Sequence, residues 1–484
     1  MVSRLWGVLA VLVLRSGACA QGTEAAAQLR LIPFPREVRL SEGAFRLPKE
    51  TALWVPATMA AGVIPGELSE ELRRLGSATE IRNGPPAKEG QDRASLFLTE
   101  AAVAAEALPG PLTPPDHSEG YALTVSPAGM AATGADAAGL FYAAQTLCQL
   151  LRANVADGVL PDLTISDYPA LRHRGFQDDL TRGPSTLLGV LKREVEIGAL
   201  AKMNFFTYYI EHQFAFSKHP EIGPPDGSLT PDELSALVEH AKGFHAEIVG
   251  CQQSFGHFYH ILKHDEYKDL RETGGILSPV NEKSYQLLDD LYSEQAPLTS
   301  SPFFNVCCDE TYGLGEGPSK ELAKEIGVGG VYARHMRRVH DLVAKQGKRM
   351  MMWGDIILQH PEDLKEIPKD TVMLTWGYGP AASFENQIIP FAESGYEFFV
   401  CPGVNCWSRL LPDFAATTVN VQNFVRDGVK RGALGMLNTA WDDDGETFCA
   451  PNWHGVLWGA ECAWTGSTTD PRDFNRRLGG ILFG

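Results

Sequence analysis

From residue 172 onward, short apolar runs alternate with segments of helical periodicity, and this alternation constrains the fold more than any other feature of the sequence. Eight of the runs have the length and apolar character of buried strands. They span residues 173–180, 204–210, 246–252, 303–309, 349–353, 371–376, 397–402 and 433–441. Helical segments lie between them. One of these begins at Thr230, and Glu233 is placed to complete a capping box with it.

Eight strands that alternate with helices predict an α/β fold, a (β/α)8 TIM barrel over residues 168–484. The alternative is a doubly wound open sheet. That fold often binds nucleotides through a Gly-x-Gly-x-x-Gly turn after a strand, and no predicted strand here is followed by such a turn.

Residues 29–167 show a different pattern of apolar residues from the alternating region. Five short runs in this part are predicted strands, at residues 29–32, 45–47, 52–55, 95–98 and 121–125. Residues 134–152 predict an amphipathic helix, because Leu140, Leu147 and Leu151 fall on one stripe. The pattern predicts a small α+β domain before the barrel.

Residues 1–20 have the parts of a secretory signal peptide. Arg4 provides the positive start, residues 5–14 form an apolar core too short to span a bilayer, and residues 18–20 resemble a cleavage site. We therefore expect an exported protein, either periplasmic or secreted. A lipid anchor on Cys19 is the second choice, because Ser16 stands where a lipoprotein signal would have Leu. No later segment is long and apolar enough for a membrane span.

The charge and the cysteines exclude some classes of partner. The net charge of −18 argues against a nucleic-acid partner, since phosphate binding needs clustered Lys and Arg. The even number of cysteines after residue 20 allows disulfides, but most lie in apolar runs typical of small buried side chains. There is no Cys-x-x-Cys pair and no zinc-like spacing, so we expect neither a metal nor a cofactor. The oligomeric state is not predicted.

Acids and aromatic residues follow the predicted strands, and the C-terminal ends of barrel strands form the active site. The strand ends carry Asp178-Asp179, Glu211-His212, Ser254 to His257, Asp309-Glu310, Trp353-Gly354-Asp355, Trp376-Gly377-Tyr378, Asn405-Cys406-Trp407 and Trp441 to Asp444. Each motif has an ordinary alternative, such as a core aromatic, a solvated turn or a calcium loop. Their convergence at one mouth is typical of carbohydrate sites, where rings stack on sugars and carboxylates do the chemistry.

The fourth strand is the most informative of these. Its apolar run ends in two adjacent carboxylates, Asp309 and Glu310. Unpaired acids are costly at the end of a buried strand, so this pair is a candidate for catalysis. The alternative is a strand end that meets solvent or a helix N-terminus.

With these residues in place, the chain resembles the family 20 glycoside hydrolases, the β-N-acetylhexosaminidases. Residues 31–35 and 134–151 resemble the N-terminal domain of that family. Arg174-Gly175, followed by Asp179 and Arg182, resembles its first barrel strand, and Cys308-Asp309-Glu310 resembles its catalytic pair. The resemblance implies an exo-acting, retaining enzyme that removes terminal β-linked GlcNAc or GalNAc from glycans.

The resemblance also implies substrate-assisted catalysis, in which the 2-acetamido oxygen of the sugar attacks the anomeric carbon. Glu310 would be the general acid and base, and Asp309 would orient the acetamido group. His257 would contact Glu310, with Glu211 behind it.

Further residues are implied to bind the substrate. Arg174 would hold ring hydroxyls and Asp443 the outer hydroxyls. The acetamido pocket would be walled by Trp353, Trp376 and Trp441. The family's Tyr on the seventh strand is absent here, and either Asn405 or Tyr378 would replace it.

Two alternative functions remain open. One is a retaining glycosidase of another specificity, with Asp355 or Asp443 as a nucleophile about 5–5.5 Å from Glu310. The other is a catalytically silent barrel that binds glycans.

Overall fold

The computed structural model describes residues 26–84, 95–100, 112–183 and 187–482. The predicted signal peptide and Cys19 lie outside these ranges. The chain divides into two compact units, one of Met1–Pro169 with Thr469–Gly484 and one of Ala170–Thr468. The predicted barrel domain of residues 168–484 therefore needs a correction at its C-terminal end. The last helix belongs to the first unit, where the buried Arg477 donates to the backbone carbonyl of Leu31.

The first unit contains a mixed sheet of seven described strands in the order β1-β7-β5-β6-β4-β2-β3. The strands are β1 (Glu37–Arg46), β2 (Glu50–Val55), β3 (Ala78–Asn83), β4 (Ser95–Glu100), β5 (Tyr121–Ser126), β6 (Gly129–Gly134) and β7 (Val159–Asp167). Its helices are α1 (Val63–Arg74), α2 (Ala137–Asn154) and, at the end of the chain, α11 (Pro471–Leu482). Asp136 caps α2 by accepting the Gly139 N–H at 2.7 Å.

The predicted strand at residues 29–32 is wrong. The Ile32 N–H donates to the Gln149 side chain at 2.7 Å, and the Gln149 amide donates to the Ile32 carbonyl at 2.6 Å. A helix side chain thus satisfies the backbone that a neighbouring strand would otherwise pair. Strands β3, β6 and β7 and helix α1 were not predicted.

The second unit is a closed barrel of eight parallel strands, which confirms the predicted fold. The strands are β8 (His173–Asp179), β9 (Phe205–Tyr209), β10 (Glu247–Cys251), β11 (Phe303–Asn305), β12 (Arg349–Trp353), β13 (Val372–Trp376), β14 (Phe398–Cys401) and β15 (Gly435–Ala440). Each pairs with the next. The barrel closes where β15 pairs with β8, in a register that runs from Gly435↔His173 to Ala440↔Asp178.

Helices connect the strands, as the alternating pattern predicted. They are α3 (Leu188–Leu200), α4 (Pro231–Lys242), α5 (Tyr259–Leu262), α6 (Glu282–Gln295), α7 (Lys320–Lys345), α8 (Glu385–Glu393), α9 (Phe414–Lys430) and α10 (Cys449–Thr465). Short 3-10 turns occur at Asp265–Leu270, Ala296–Leu298, Ile357–Gln359, Pro361–Glu366 and Asp443–Gly445. The predicted capping box is present at the start of α4, where Thr230 and Glu233 bond each other's backbone N–H.

The barrel interior is filled with side chains in layers. Its lower layer packs His173 against Phe205 and Phe303, with ring centroids 5.1 and 5.7 Å away. Burial lowers the pKa of His173 to about 3, so this ring acts as a neutral aromatic. Higher up, the core passes through Tyr209, Cys307, Trp353 and Trp441 to the mouth. Since the floor is apolar, the polar chemistry is confined to the C-terminal end of the strands.

Eight cysteines lie in the described residues, and all are free thiols. Seven are buried and Cys449 is exposed, in keeping with their predicted role as small apolar side chains. Among the helices in the described part of the chain, none has the length and apolar character that crossing a membrane requires.

Candidate active site

A cavity of about 400 Å³ opens at the C-terminal ends of the barrel strands. The predicted residues that line it are His257, Asp309, Glu310, Trp353, Trp376, Tyr378, Trp441 and Asp443. Arg182, Trp407 and Ser408 line it as well. The sequence had placed Trp407 at a strand end and Arg182 after the first strand without giving either a role in the site, and it had not singled out Ser408. Arg174, Glu211 and Asn405 are not among its lining residues. This volume suits a small ligand, and acids and aromatic rings dominate its wall.

The chain that carries the two acids leaves the strand early. Strand β11 ends at Asn305, and Cys307, Cys308 and Glu310 then adopt left-handed φ values of 56°, 71° and 51°. Each such conformation costs on the order of 1–3 kcal/mol for a residue other than glycine. The predicted strand over 303–309 is therefore too long. The bent path is what turns successive acids in different directions.

The two acids differ in their surroundings. The Asp309 residue is buried, and its Oδ1 atom has no hydrogen-bond partner among the described residues. The Glu310 side chain keeps 44% of its surface exposed. One acid is thus an acceptor inside the cavity, and the other can exchange protons with solvent.

His257 lies between the acids and a third carboxylate. Its Nε2 is 3.2 Å from Asp309 Oδ2 and 3.5 Å from Glu310 Oε2, and its Nδ1 is 3.7 Å from Glu211 Oε1. The Nε2 contacts are ion pairs rather than aligned hydrogen bonds, since Nε2 has no hydrogen-bond partner among the described residues. Burial is the largest effect on the ring and opposes its charge, but the carboxylates of Asp309 and Glu211 together outweigh it and raise the pKa of His257 to about 9. The imidazolium therefore balances Asp309.

Glu211 supports this pair from behind the cavity wall. Burial raises its pKa to about 7, and Arg182 and His257 oppose that rise. The Tyr209 hydroxyl donates to Glu211 Oε1 at 3.1 Å, and Arg182 donates to the same oxygen at 3.3 Å. The predicted relay of Glu211 and His257 is therefore in contact, with His257 nearer to Asp309 than to Glu310.

Arg182 lies at the cavity, where the sequence had predicted that Arg174 would hold the sugar hydroxyls. Its guanidinium pairs with Asp179 at 2.9 Å and with Asp443 at 3.3 Å, and it lines the cavity. It also lies over the rings of Tyr209 and Trp441, at 5.0 and 5.4 Å. Arg182 follows the C-terminal end of β8, so the rule that selected the other residues should have selected it too.

Arg174 is a structural residue, and its predicted contact with sugar hydroxyls needs correction. It is the second residue of β8 and is fully buried. Its guanidinium donates to the backbone carbonyls of Lys202 at 2.6 Å and Leu171 at 2.9 Å, and it lies 5.0 Å from the Trp464 ring. A residue at the N-terminal end of a barrel strand faces the end opposite the site.

Aromatic rings form the opposite wall. Tyr378 stacks on Trp376 with centroids 5.2 Å apart, and the centroids of Trp353 and Trp441 are 6.3 Å apart. The Trp441 indole N–H donates to the Tyr378 hydroxyl at 2.8 Å, which fixes that oxygen at the wall. Asn405 instead donates its amide to the Gly403 carbonyl at 3.0 Å. Of the two predicted replacements for the seventh-strand Tyr, Tyr378 is the one at the cavity.

Asp355 is a further residue of the site, which the sequence offered only as a possible nucleophile. Its Oδ2 accepts the Glu310 backbone N–H at 3.0 Å, so it holds the left-handed turn in place. Burial, followed by the charge of Asp309, raises the pKa of Asp355 to about 7. Asp355 is absent from the cavity lining, so its geometry does not suit a nucleophile.

Comparisons with known proteins agree with this fold. The family model "Glycosyl hydrolase family 20, domain 2" matches residues 28–168, and "Glycosyl hydrolase family 20, catalytic domain" matches residues 171–408. Among solved structures, a Flavobacterium johnsoniae chitobiase has a TM-score of 0.74 at 22% identity, covering 94% of this chain and 72% of that one. Streptomyces plicatus N-acetyl-beta-hexosaminidase has a TM-score of 0.71 at 22% identity and covers 94% of each chain.

Curated relatives at low sequence identity are hexosaminidases as well. A Beta-hexosaminidase of Porphyromonas gingivalis is 23% identical over 372 residues, which cover 68% of this chain and 46% of the relative. Hexosaminidase D of Bos taurus is 26% identical over 208 residues, covering 39% of this chain and 59% of the relative. The chain thus spans about half the length of these relatives. The two family models together match most of its residues, and the chain belongs to glycoside hydrolase family 20.

Proposed function

We propose that this chain is an exo-acting, retaining β-N-acetylhexosaminidase that hydrolyses terminal β-linked GlcNAc or GalNAc from glycans by substrate-assisted catalysis. One observation carries the proposal. Asp309 presents a buried Oδ1 atom without a partner among the described residues, next to the half-exposed Glu310, in an aromatic-walled cavity. Membership of family 20 supports glycosidase chemistry in general.

Asp309 has the properties needed to act on an acetamido group. A buried carboxylate oxygen without a partner is costly, and an amide N–H from the substrate would satisfy it. Accepting that hydrogen bond would direct the acetamido oxygen toward the anomeric carbon. The carboxylate would then stabilise the positive charge that the oxazolinium ion acquires.

Glu310 would transfer the protons. In the first step it donates a proton to the glycosidic oxygen as the acetamido oxygen forms its bond to the anomeric carbon and the aglycone leaves. In the second step it takes a proton from a water molecule, whose oxygen attacks the anomeric carbon and opens the oxazolinium ring. The two displacements together retain the configuration, and the acetamido group is regenerated.

The surrounding residues would position the sugar. The rings of Trp353, Trp376 and Trp441 would enclose the acetamido group and exclude water from the oxazolinium ion. A hydroxyl that accepts one hydrogen bond still has a proton to donate, so Tyr378 can bond the acetamido oxygen. Arg182 and Asp443 would bind hydroxyls at the outer end of the sugar.

Turnover of aryl glycosides tests the proposal. Asp309→Asn should lower kcat for an aryl β-GlcNAc by on the order of 10²-fold or more, through loss of charge stabilisation. Glu310→Gln should abolish turnover of substrates with poor leaving groups. Glu316→Gln is a matched control, because Glu316 is exposed and outside the cavity lining.

Two further results would decide between mechanisms. Inhibition by a thiazoline analogue of the oxazolinium ion is expected, whereas covalent trapping by a 2-fluoro sugar would indicate a carboxylate nucleophile instead. Near-normal activity of Glu310→Gln toward substrates with poor leaving groups would contradict the proposal. Binding of GlcNAc without hydrolysis by the unmodified chain would favour a silent glycan-binding barrel.

We also propose that the protein is exported, with a lipid anchor on Cys19 as the second choice. The support is the sequence pattern of residues 1–20 alone. Fractionation of the expressing cell, with the mass of the mature N-terminus, would test it.

A further inference from the structure

We propose that Glu211, His212 and His260 form a site for a divalent transition-metal ion such as Zn²⁺, and that its occupancy inhibits the enzyme. The inhibitory half of this inference rests on the proposed function. One donor atom from each of the three residues lies within 4.8 Å of the other two. Glu211 and His212 follow the end of β9, and His260 lies in α5, after the third barrel strand. The segments that follow two neighbouring strands thus supply the three donors.

The spacing of the donors is compatible with a metal site. Donor atoms about 2.0–2.2 Å from a tetrahedral zinc lie about 3.3–3.6 Å from one another, and the three donors here lie within 4.8 Å of one another. The rings of His212 and His260 stack with centroids 4.1 Å apart and planes 14° apart. Because His260 is exposed, its ring can rotate to aim a nitrogen at the ion, while the buried His212 stays fixed.

A second observation points to a ligand at this position. His212 is 8% exposed, and its Nδ1 atom is buried without a hydrogen-bond partner among the described residues. Buried polar atoms in folded proteins are nearly always paired, so an orphan of this kind needs an explanation. A metal ion held between His212 and His260 would provide it.

The Glu211 carboxylate can bind an ion without giving up its present partners. Tyr209, Arg182 and His257 all contact its Oε1 atom, at 3.1, 3.3 and 3.7 Å. In the described part of the chain, no hydrogen bond or ion pair of this carboxylate uses Oε2. The second oxygen is therefore the natural third ligand.

The donor set selects the class of metal. Two imidazoles and one carboxylate suit Zn²⁺ or Cu²⁺, whereas Ca²⁺ and Mg²⁺ require more oxygen ligands. Nearby positive charges from Lys263 and Arg182 also disfavour weakly held ions. Three protein ligands leave a fourth position open to water.

Occupancy would reach the catalytic pair through Glu211. Glu211 now balances the positive charges of Arg182 and His257 through Oε1. An ion on Oε2 would offset the negative charge of Glu211 and so weaken that balance. The contact of His257 with Asp309 would then weaken, and kcat would fall. Since the ion would bind outside the cavity lining, substrate should not compete with it directly.

Zinc titration of tag-free protein in a non-chelating buffer tests the site by calorimetry, without substrate. The wild type should bind Zn²⁺ in the micromolar range or tighter, and His260→Gln should weaken that binding at least tenfold. His360→Gln is the matched control, because His360, Glu362 and Asp363 form a second candidate cluster. His212→Gln provides an independent loss of the site if the fold is retained by circular dichroism.

Each result has a definite meaning. Zinc binding that His360→Gln removes and His260→Gln leaves intact would overturn the site, as would the absence of micromolar binding. In activity assays, Zn²⁺ should inhibit the wild type and the His360→Gln variant, while His260→Gln keeps its basal activity and becomes resistant. Binding lost in His260→Gln with no wild-type inhibition would overturn the inhibitory half alone. Because calorimetry needs no turnover, the metal site and the proposed function can fail separately.

Discussion

Asp355 should make the folded protein less stable as pH rises, and Asp355→Asn should remove that effect. Burial, reinforced by the charge of Asp309, raises the pKa of Asp355 from 3.8 to about 7. Between these values the folded chain keeps a proton that the unfolded chain has lost, so the free energy of unfolding falls with increasing pH. The fall begins near pH 4 and is complete once the pH has passed the folded-state pKa.

The pKa shift sets the magnitude. At about 1.4 kcal/mol per pKa unit, a shift of roughly three units corresponds to about 4 kcal/mol. Relaxation and water entry reduce such penalties, so we expect about 2–4 kcal/mol. Asparagine retains an oxygen that can accept the Glu310 N–H, now bonded at 3.0 Å, while it removes the ionisable group.

Urea denaturation of both proteins at pH 5 and pH 8.5 measures this contribution. Because the part of the fall between pH 4 and pH 5 lies outside this range, the wild type should lose about 1–3 kcal/mol more than Asp355→Asn between the two pH values. Asp178 and Glu211, whose pKa values burial also raises to about 7, change both proteins alike and cancel in the comparison. Losses that agree within about 0.5 kcal/mol would refute the reasoning, because that is the usual limit of additivity.

The remaining predictions concern residues whose positions only the structure distinguished. Arg182→Lys should lower kcat/KM for an aryl β-GlcNAc by about 10–100-fold, mainly through KM, because lysine lacks the planar fork that meets carboxylates and hydroxyls. Arg174→Lys should leave KM unchanged and lower the free energy of unfolding by about 2–4 kcal/mol, because lysine leaves buried backbone carbonyls without donors. An altered KM would argue against the structural role of Arg174. Tyr378→Phe should reduce kcat by about 10–100-fold, whereas Asn405→Ala should not, and steady-state kinetics of the pair would reveal the reverse order if the assignment is mistaken.

The alternation of apolar runs and helices was sufficient to predict the barrel. Strand-to-helix periodicity is a local property, and eight repeats of it have few compact solutions. Because the barrel brings all C-terminal strand ends together, the rule also placed His257, Asp309, Glu310 and Asp443 at one mouth. These contacts join residues far apart in the chain, yet the topology alone implies them.

Other features depended on contacts that no local pattern encodes. Residues 29–32 look like a strand, but Gln149 in a distant part of the first unit satisfies the backbone N–H and carbonyl of Ile32. The last helix follows the final barrel segment in sequence, but its Arg477 bonds Leu31, and both residues belong to the first unit. In both cases the partner is chosen by tertiary packing, which overrides local propensity.

What the sequence by itself determined is the barrel and the ring of acids and aromatic residues at its mouth, because both follow from the order of strands along the chain. What only the tertiary structure decided is the role of each side chain within that ring. Arg174 and Arg182 lie in the same segment, yet one holds backbone carbonyls and the other lines the cavity. Asp309 and Glu310 are adjacent, yet the left-handed turn buries one and exposes the other. Side-chain direction and burial depend on backbone angles and on distant neighbours, which sequence order does not specify.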